Sequence, residues 1–157
     1  KNDNGSFKVI ANNEDVTDIL HSSDVTKIVP VVAAIKEVRE AAKPIKWDLS
    51  KIKNTVMTGR DIGSEIFPDA KHKFYLTADV NIRAKRRFEQ LFKKDPSIKY
   101  EQVLKDMEDR DKKDTEREVS PLRIPDGAAV IDNSHLTVEQ TVEEMLKHIK
   151  GNVIASD

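Results

Sequence analysis

Charged side chains occur at two places in the sequence where they could bind a ligand: after a predicted strand and along one face of a predicted helix. Gly59-Arg60-Asp61 follows a predicted strand over 54–58, so a guanidinium and a carboxylate stand where that strand ends. Ligands of open α/β folds usually bind at such strand ends. Arg110, Asp114 and Arg117 extend the apolar stripe of a predicted helix that begins near residue 99. Arginine forks bind phosphate and aspartate accepts from sugar hydroxyls, so these residues predict a site for an anionic sugar ligand.

Both patterns also have explanations that need no ligand. The helical set is spaced i, i+4, i+7 and could pair on a solvated face, where each pair contributes about 0.2–0.5 kcal/mol. Arg60 and Asp61 could form a surface pair at a glycine turn, worth under about 1 kcal/mol. A third group, Arg83, Arg86 and Arg87, could reach a polyphosphate, or it could be the solvated side of an amphipathic helix.

Apolar periodicity predicts the elements that carry these residues. Strands are expected at 6–11, 54–58, 72–77 and 128–131, the second of them buried. Ser22 or Ser23 caps a helical pattern that runs to about Arg39, which Pro30 should kink or divide into two short helices. The segment 43–53, with Pro44 and the only tryptophan, Trp47, is expected to be a connection.

The second half of the chain is expected to carry three helices. The first begins at Asn81 and stops at Asp95-Pro96-Ser97, and the second begins near residue 99. Thr137 and Gln140 form a capping box for the third, which Gly151 should end. Its expected buried face consists of Val138, Val142, Met145, Leu146 and Ile149. Strands that alternate with helices predict an α/β layer fold with a parallel sheet.

Composition excludes several classes of protein. The 157 residues suffice for one domain with a core, and 27 basic against 28 acidic residues give a net charge of −1. That balance argues against a general nucleic-acid-binding protein, which needs an excess of cationic contacts. The chain has no cysteine, and its four histidines lack ligand-like spacing, so no protein metal site is predicted. No apolar run reaches membrane-spanning length, no signal peptide is apparent, and a cytoplasmic location is expected.

The order of several motifs resembles one family. Along the chain come GRDIGSEIFPDA from Gly59, KFYLTA from Lys73, RAKRRFEQL from Arg83, DRDKKDTEREVSPL from Asp109 and AVIDNSHLTVEQ from Ala129. Together they resemble bacterial cytidylate kinases, and the resemblance extends from about Gly5 to the C-terminal helix. It implies a three-layer, parallel-sheet P-loop nucleoside monophosphate kinase fold with a small β-containing insert. The implied domains are a monophosphate-binding region at 1–46 and a kinase core at 47–157, with a short lid around 86–115.

The resemblance also implies an activity, the transfer of the γ-phosphoryl group of ATP, with Mg²⁺, to CMP or dCMP. The implied contacts to the acceptor are Arg60 and Arg117 on the phosphate, Arg110 and Asp114 on the ribose, and Arg39 and Asp61 on cytosine. The implied lid and ATP residues are Arg83, Arg86 and Arg87, with Arg86 the expected ATP contact. Arg60, Arg117 and Arg86 form the expected catalytic group. The substrates are the expected partners, and a monomer is expected.

The chain departs from the family pattern at several positions. Pro30 stands where the family commonly has a serine that touches the base, and Lys46-Trp47 replaces a Gln-Arg pair. An arginine of the family is also missing at Ile19-Leu20-His21. No pair among the five glycines satisfies the P-loop pattern G-x-x-x-x-G-K-[ST]. We therefore expect the C-terminal portion of a kinase, inactive alone. The alternatives are a non-catalytic nucleotide-binding or interaction domain and a kinase for another small phosphate acceptor.

Overall fold

The computed structural model describes residues 8–51 and 55–154, which form a mixed α/β structure that is mostly helical. A hairpin of two short strands comes first, and two helices follow it. A parallel pair of strands then encloses two further helices in sequence, and a last helix follows the second strand. In chain order the elements are β1 (Ile10–Ala11), β2 (Glu14–Asp15), α1 (Ser23–Val32), α2 (Lys36–Ser50), β3 (Phe74–Thr77), α3 (Val80–Phe92), α4 (Tyr100–Glu116), β4 (Ala129–Asp132) and α5 (Val138–Ile154).

The N-terminal hairpin is antiparallel and pairs Ile10 with Asp15. Asn12 and Asn13 make its turn with φ values of 51° and 66°. Asparagine tolerates this left-handed region better than most residues. The strand predicted over 6–11 is thus shorter among the described residues, and its first two positions lie outside them. A small β-containing region near the N-terminus is present, as expected.

The region around Pro30 forms two helices, one of the two predicted outcomes. Ser22 caps α1 by accepting a hydrogen bond from the Val25 amide at 3.3 Å. Pro30 lies inside α1 and has no N–H for the carbonyl four residues earlier. Helix α1 ends two residues later at Val32, and the break at 33–35 separates it from α2.

The predicted connection over 43–53 is wrong. Helix α2 continues through Pro44 to Ser50, although proline removes one hydrogen bond from the helix. A tertiary contact holds the far side of the proline, because Trp47 Nε1 donates to the Ile66 carbonyl at 3.1 Å. Pro44 by itself predicted the end of a helix. The helix instead continues past the proline, where the hydrogen bond from Trp47 to the Ile66 carbonyl holds it.

The parallel sheet has two strands in the part of the chain that the structure describes. Strands β3 and β4 pair in parallel, with Phe74 opposite Ala129 and Thr77 opposite Asp132. The predicted buried strand over 54–58 is wrong: the segment from Val56 to Gly59 is irregular, and Val56 is 86% exposed. Position 54 lies outside the described residues. Apolar composition alone cannot supply the neighbouring strand that a ladder requires.

Helices α3 and α4 pack against each other through aromatic side chains. The rings of Phe88 and Tyr100 meet edge to face at 6.1 Å, and Phe88 lies 5.3 Å from Phe92. Edge-to-face and offset arrangements of this kind suit aromatic quadrupoles. This contact sets the beginning of α4 beside α3. The buried apolar residues among those described are Ile66, Ala78, Ala84, Val103 and Ile131.

Helix α5 begins as predicted but buries less than predicted. The Thr137 amide donates to Gln140 Oε1 at 2.9 Å, and the Gln140 amide donates to Thr137 Oγ1 at 3.2 Å. These two bonds complete the capping box. The predicted buried face is wrong for three of its five residues, because Val138, Val142 and Leu146 are 74%, 47% and 45% exposed, and Met145 and Ile149 are only half-buried. The predicted end at Gly151 is also wrong, since α5 continues to Ile154.

Within the described residues, none of the helices combines the length and the apolar character needed to cross a lipid bilayer.

Candidate functional site

A tight turn sets Arg60 and Asp61 at the start of the site. Residues Ile62–Ile66 form a π-helical turn directly after them, which buried Ile66 anchors to the body of the protein. A Cβ at Gly59 would lie 2.8 Å from Ile62 Cγ1. The chain therefore approaches itself too closely there for a larger residue. Asp61 is only 7% exposed, which excludes the surface pair considered from the sequence.

Asp114 is the centre of a cluster of arginines. It is 3% exposed, and its carboxylate lies 3.1 Å from Arg60 Nη1, 3.2 Å from Arg117 Nη1 and 3.8 Å from Arg110 Nε. The end of α4 therefore faces inward, and the three residues predicted from its stripe do not pair on a solvated face. Arg117, the C-cap of α4, keeps only 8% of its side chain exposed.

Two buried atoms in this cluster lack a well-aligned hydrogen bond. Asp114 Oδ2 touches Arg60 and Arg110 only as ion pairs, and no described donor points an N–H or O–H at it. Arg110 Nε is likewise without an acceptor in good alignment among the described residues. Buried polar atoms are nearly always satisfied, so such exceptions call for an explanation.

Asp111 belongs to the cluster although the helical stripe did not include it. Its Oδ1 accepts from Arg60 Nη1 at 3.1 Å, and its Oδ2 accepts from Arg83 Nη1 at 2.6 Å. Arg83 also donates through Nε to the Ala78 carbonyl at 2.9 Å, just beyond β3. Asp111 thus joins the arginine of the turn to an arginine of α3. In the sequence, only its place next to Arg110 could have pointed to Asp111 as a site residue.

The cluster carries an excess of positive charge. Its charged members are four guanidiniums and two carboxylates, which leaves a net charge of +2: Arg60, Arg83, Arg110 and Arg117 with Asp111 and Asp114. A phosphate monoester carries a charge of about −1.5 to −2 at neutral pH. The arrangement can therefore neutralise one phosphate group.

Arg39 and Asp61 form a second, buried ion pair. Each side chain is 10% exposed, and Arg39 Nη2 contacts Asp61 Oδ2. Arg39 is held by two further acceptors, since Nε donates to Ser120 Oγ at 3.0 Å and Nη1 donates to the Ala33 carbonyl at 2.9 Å. Three acceptors fix the plane of this guanidinium, which gives its remaining N–H groups a defined direction.

A cavity of about 210 Å³ opens beside this pair. Its walls are apolar side chains from α1, α2 and the π-helical turn, with charge confined to three residues. The lining residues are Val29, Val32, Ala33, Val38, Arg39, Ala42, Lys46, Asp61 and Ile66. An apolar cavity with a few convergent polar groups is typical of small-molecule sites. No sequence signal pointed to Ala33, and Lys46 stood out only as a departure from the family.

The loop after α4 connects the cavity to the arginine cluster. Ser120 accepts from Arg39 through Oγ and from Arg117 Nε through its carbonyl, the latter at 2.7 Å. The Leu122 amide donates to the Asp114 carbonyl at 2.7 Å and holds the loop on the helix. The two groups of site residues therefore belong to one continuous network. Ser120 was missed because no local pattern marks a loop serine as a long-range acceptor.

Arg86 and Arg87 lie outside that network. Arg86 donates from Nη1 to Asn133 Oδ1 at 3.1 Å and from Nη2 to the Asn133 carbonyl at 2.7 Å, beyond the end of β4. Arg87 donates to Gln90 Oε1 on its own helix at 2.7 Å. Of the three arginines predicted for the lid, the structure brings only Arg83 to the cluster. The ligand roles of all three stay predictions.

Two carboxylates at the strand ends act in the local structure. The pKa of Asp79 is lowered because its carboxylate accepts from the backbone amides of Asn81 and Ile82, as the N-cap of α3. The pKa of Asp132 is lowered by the hydroxyl and the amide of Ser134. Both groups stay ionised at neutral pH and shape the carboxyl ends of β3 and β4.

The described residues offer no ready-made metal site. Within 8–51 and 55–154, no group of three or more His, Cys, Asp or Glu side chains is arranged to hold a metal ion. Mg²⁺ in phosphoryl-transfer enzymes is commonly held by a few carboxylates and by substrate phosphates. The residues of this region do not fit a dedicated magnesium cage.

Comparison with known proteins agrees with the motifs. The description of the matching family is "Cytidylate kinase", and the match extends over residues 1–151. The chain is 42% identical over 145 residues to a cytidylate kinase of Caldanaerobacter subterraneus subsp. tengcongensis, which covers 92% of this chain and 65% of that protein. It is 43% identical over 129 residues to a cytidylate kinase of Phocaeicola vulgatus, covering 82% and 56% respectively.

A third cytidylate kinase, from Bacillus licheniformis, is 39% identical over 143 residues, 91% of this chain and 63% of that protein. The chain thus spans slightly under two thirds of the length of most of these curated relatives. Since the family match covers nearly all of its residues, the chain belongs to the cytidylate kinase family.

Proposed function

We propose that this chain supplies the acceptor site of a kinase that transfers the γ-phosphoryl group of ATP to CMP or dCMP, giving CDP or dCDP. One observation carries the proposal. A partly buried network of hydrogen bonds and ion pairs runs from an arginine cluster suited to phosphate, through Ser120, to an ion pair beside a cavity with apolar walls. A nucleoside monophosphate needs both environments side by side, the arginine cluster for its phosphate and the cavity with its ion pair for its base.

The CMP phosphate would be bound by Arg60 and Arg117. Both guanidiniums lie against Asp114, and the cluster as a whole has a net charge of +2. Arginine forks bind phosphate oxygens bidentately, and such charge-assisted hydrogen bonds are about twice as strong as neutral ones. An arriving phosphate would take over donors that Asp111 and Asp114 now occupy. The cations would then face the charge that develops on the transferred group.

The ribose would be bound by Arg110 and Asp114. Their buried Nε and Oδ2 atoms lack aligned partners among the described residues, and a sugar hydroxyl is both a donor and an acceptor. One hydroxyl could accept from Arg110 while a hydroxyl donates to Asp114. The ligand would thereby satisfy both atoms.

Cytosine would be read by Asp61 and Arg39. Within the described residues Asp61 Oδ1 makes no hydrogen bond, and Arg39 keeps one N–H on each terminal nitrogen. Cytosine presents an exocyclic amine as donor next to a ring acceptor. Uracil would set a carbonyl against the carboxylate instead, and this mismatch disfavours UMP.

ATP would approach from the side of α3, with Arg83, Arg86 and Arg87 where a lid around 86–115 begins. Arg83 and Arg60 both bond to Asp111, so one carboxylate joins an arginine proposed for ATP to an arginine proposed for CMP.

The proposed domains are a CMP-binding region at 1–46 and a core at 47–157 of the three-layer P-loop kinase fold. Mg²⁺ would arrive with ATP and neutralise phosphate charge.

A melting experiment with a nucleotide panel tests the acceptor site. A ligand that binds only the folded chain raises its melting temperature in proportion to ln(1 + [L]/Kd). CMP and dCMP should raise it clearly, whereas UMP, AMP and cytidine at the same concentration should raise it less. A larger shift with UMP or AMP would instead support a kinase for another phosphate acceptor.

The second candidate is a nucleotide-binding domain without catalysis, which would share the same acceptor site. The 157 residues contain no G-x-x-x-x-G-K-[ST] segment, the loop whose amides and lysine hold the phosphates of ATP. We expect this chain to bind CMP without converting it to CDP when ATP and Mg²⁺ are added. Formation of ADP and CDP by the purified chain would contradict that expectation.

A further inference from the structure

Ser120 adopts a backbone conformation that few residues other than glycine adopt. Its φ is +50°, and Pro121 follows it. A residue with a Cβ is uncommon in this region, and the residue before a proline ordinarily prefers extended backbone with negative φ. Costly conformations of this kind concentrate at ligand sites, where the surrounding structure holds them in place.

The conformation lets one residue hold two arginines. The hydroxyl of Ser120 accepts from Arg39 Nε at 3.0 Å, and its carbonyl accepts from Arg117 Nε at 2.7 Å. In each arginine the bond uses Nε and leaves the terminal nitrogens available for other partners. The Arg39 and Arg117 side chains are only 10% and 8% exposed, so bulk water has little access to either guanidinium.

The loop itself is fastened to helix α4. The Leu122 amide donates to the carbonyl of Asp114 at 2.7 Å, within the last turn of the helix. The loop is therefore held, two residues beyond Ser120, on the residue at the centre of the arginine cluster.

We propose that Ser120 is a positioning residue that orients the base-reading arginine through its hydroxyl and the phosphate-binding arginine through its carbonyl. The inference rests on the proposed function, because it gives Arg39 and Arg117 the roles stated there. Loss of the hydroxyl removes one of the three acceptors that fix the Arg39 guanidinium, so its plane is less well defined, while Arg117 keeps its carbonyl partner. Base selectivity should then fall, and the gain in affinity from the phosphate should persist.

Two substitutions separate this role from a purely structural one. Ser120→Ala and Ser120→Gly both remove the hydroxyl, but glycine adopts positive φ without strain. Calorimetry gives the affinities for CMP, UMP and cytidine. For each variant, the ratio of the CMP affinity to the UMP affinity measures selectivity for the base, and the ratio of the CMP affinity to the cytidine affinity measures the contribution of the phosphate. Ser97→Ala is the matched control, because it removes a hydroxyl that bonds to Asp95 in an exposed turn before α4.

The expected result is a fall of about tenfold in the CMP-over-UMP ratio for both Ser120 variants, the amount that one hydrogen bond to a charged group supplies. Their CMP-over-cytidine ratio should stay within about twofold of the parent, and Ser97→Ala should change neither ratio. If the parent prefers CMP and both variants retain that preference, the positioning role is overturned and the proposed function stands. If the parent itself does not distinguish CMP from UMP, the proposed function is overturned together with this role.

Discussion

Asp114 Oδ2 lies 3.1 Å from Arg60 Nη1, which joins the end of α4 to the turn before the π-helical segment. The carboxylate side chain is 5% exposed, whereas the guanidinium side chain is 34% exposed. A strongly buried charge needs its partners, and a partly exposed one can rearrange. Arg60 is therefore the member of the cluster best able to exchange a carboxylate for a phosphate.

Replacing Arg60 by alanine should weaken CMP binding by about ten- to a hundredfold, because a hydrogen bond to a charged group contributes about 1.5–3 kcal/mol. Cytidine lacks the phosphate, so its affinity should change by no more than about twofold. Calorimetric titration of both ligands measures the difference. Arg123→Ala is the matched control, since Arg123 is 60% exposed and pairs with Glu65, which is not a member of the cluster. Equal losses for CMP and cytidine would contradict the phosphate role.

Replacing Asp114 by asparagine should lower the free energy of unfolding by about 3 kcal/mol, because several guanidiniums lose the buried charge that offsets them. Inorganic phosphate should restore part of that stability, since an anion can substitute for the lost carboxylate. Urea unfolding with and without phosphate measures both effects. Asp106→Asn changes an exposed carboxylate on the same helix and should cost little. A variant as stable as the parent would contradict the central role of Asp114.

Replacing Arg39 by lysine should reduce the preference for CMP over UMP while largely keeping the charge balance with Asp61. Lysine carries one ammonium group and cannot reproduce the three-way bonding of Arg39 to Asp61, Ser120 and the Ala33 carbonyl. The affinities for CMP and UMP, compared with those of Arg123→Lys, measure the change. An unaltered preference in Arg39→Lys would remove this arginine from base recognition.

Asp79 should make the stability of the chain depend on pH in the acid range. Hydrogen bonds from the amides of Asn81 and Ile82 lower the pKa of its carboxyl below the ordinary value of 3.8. A lowered folded-state pKa stabilises the protein above the unfolded-state value, and this contribution is lost as pH falls through the folded-state pKa. Asp79→Ala should therefore melt at a lower temperature than the parent at pH 7.

The difference in melting temperature between parent and Asp79→Ala should shrink as the pH is lowered below about 3.8, where the carboxyl of the unfolded chain protonates. Scanning calorimetry at a series of pH values follows the trend, with Asp106→Ala as the control on an exposed face. A constant difference across that range would contradict the capping role of the Asp79 carboxylate.

Local patterns predicted the elements whose signals are short-range. The helices α3 and α4, the strands β3 and β4 and the capping box of α5 follow from periodicity and capping chemistry, and they are confirmed with boundary shifts of a few residues. The strand at 54–58 and the connection at 43–53 are wrong. A strand needs a neighbour, and the far half of α2 is held by Trp47 on the Ile66 carbonyl. Neither requirement is visible in a local window of sequence.

The candidate site divides along the same line. The sequence by itself determined that Arg110, Asp114 and Arg117 share one face of α4, because helical periodicity depends only on spacing along the chain. Tertiary structure alone decided that Asp114 and Arg117 on this face are buried and that Arg60 pairs with Asp114. It also recruited Asp111 and Ser120, whose contacts cross between elements. The sequence shows which charged residues are present, but the packing of the helices and strands decides which of their side chains come into contact.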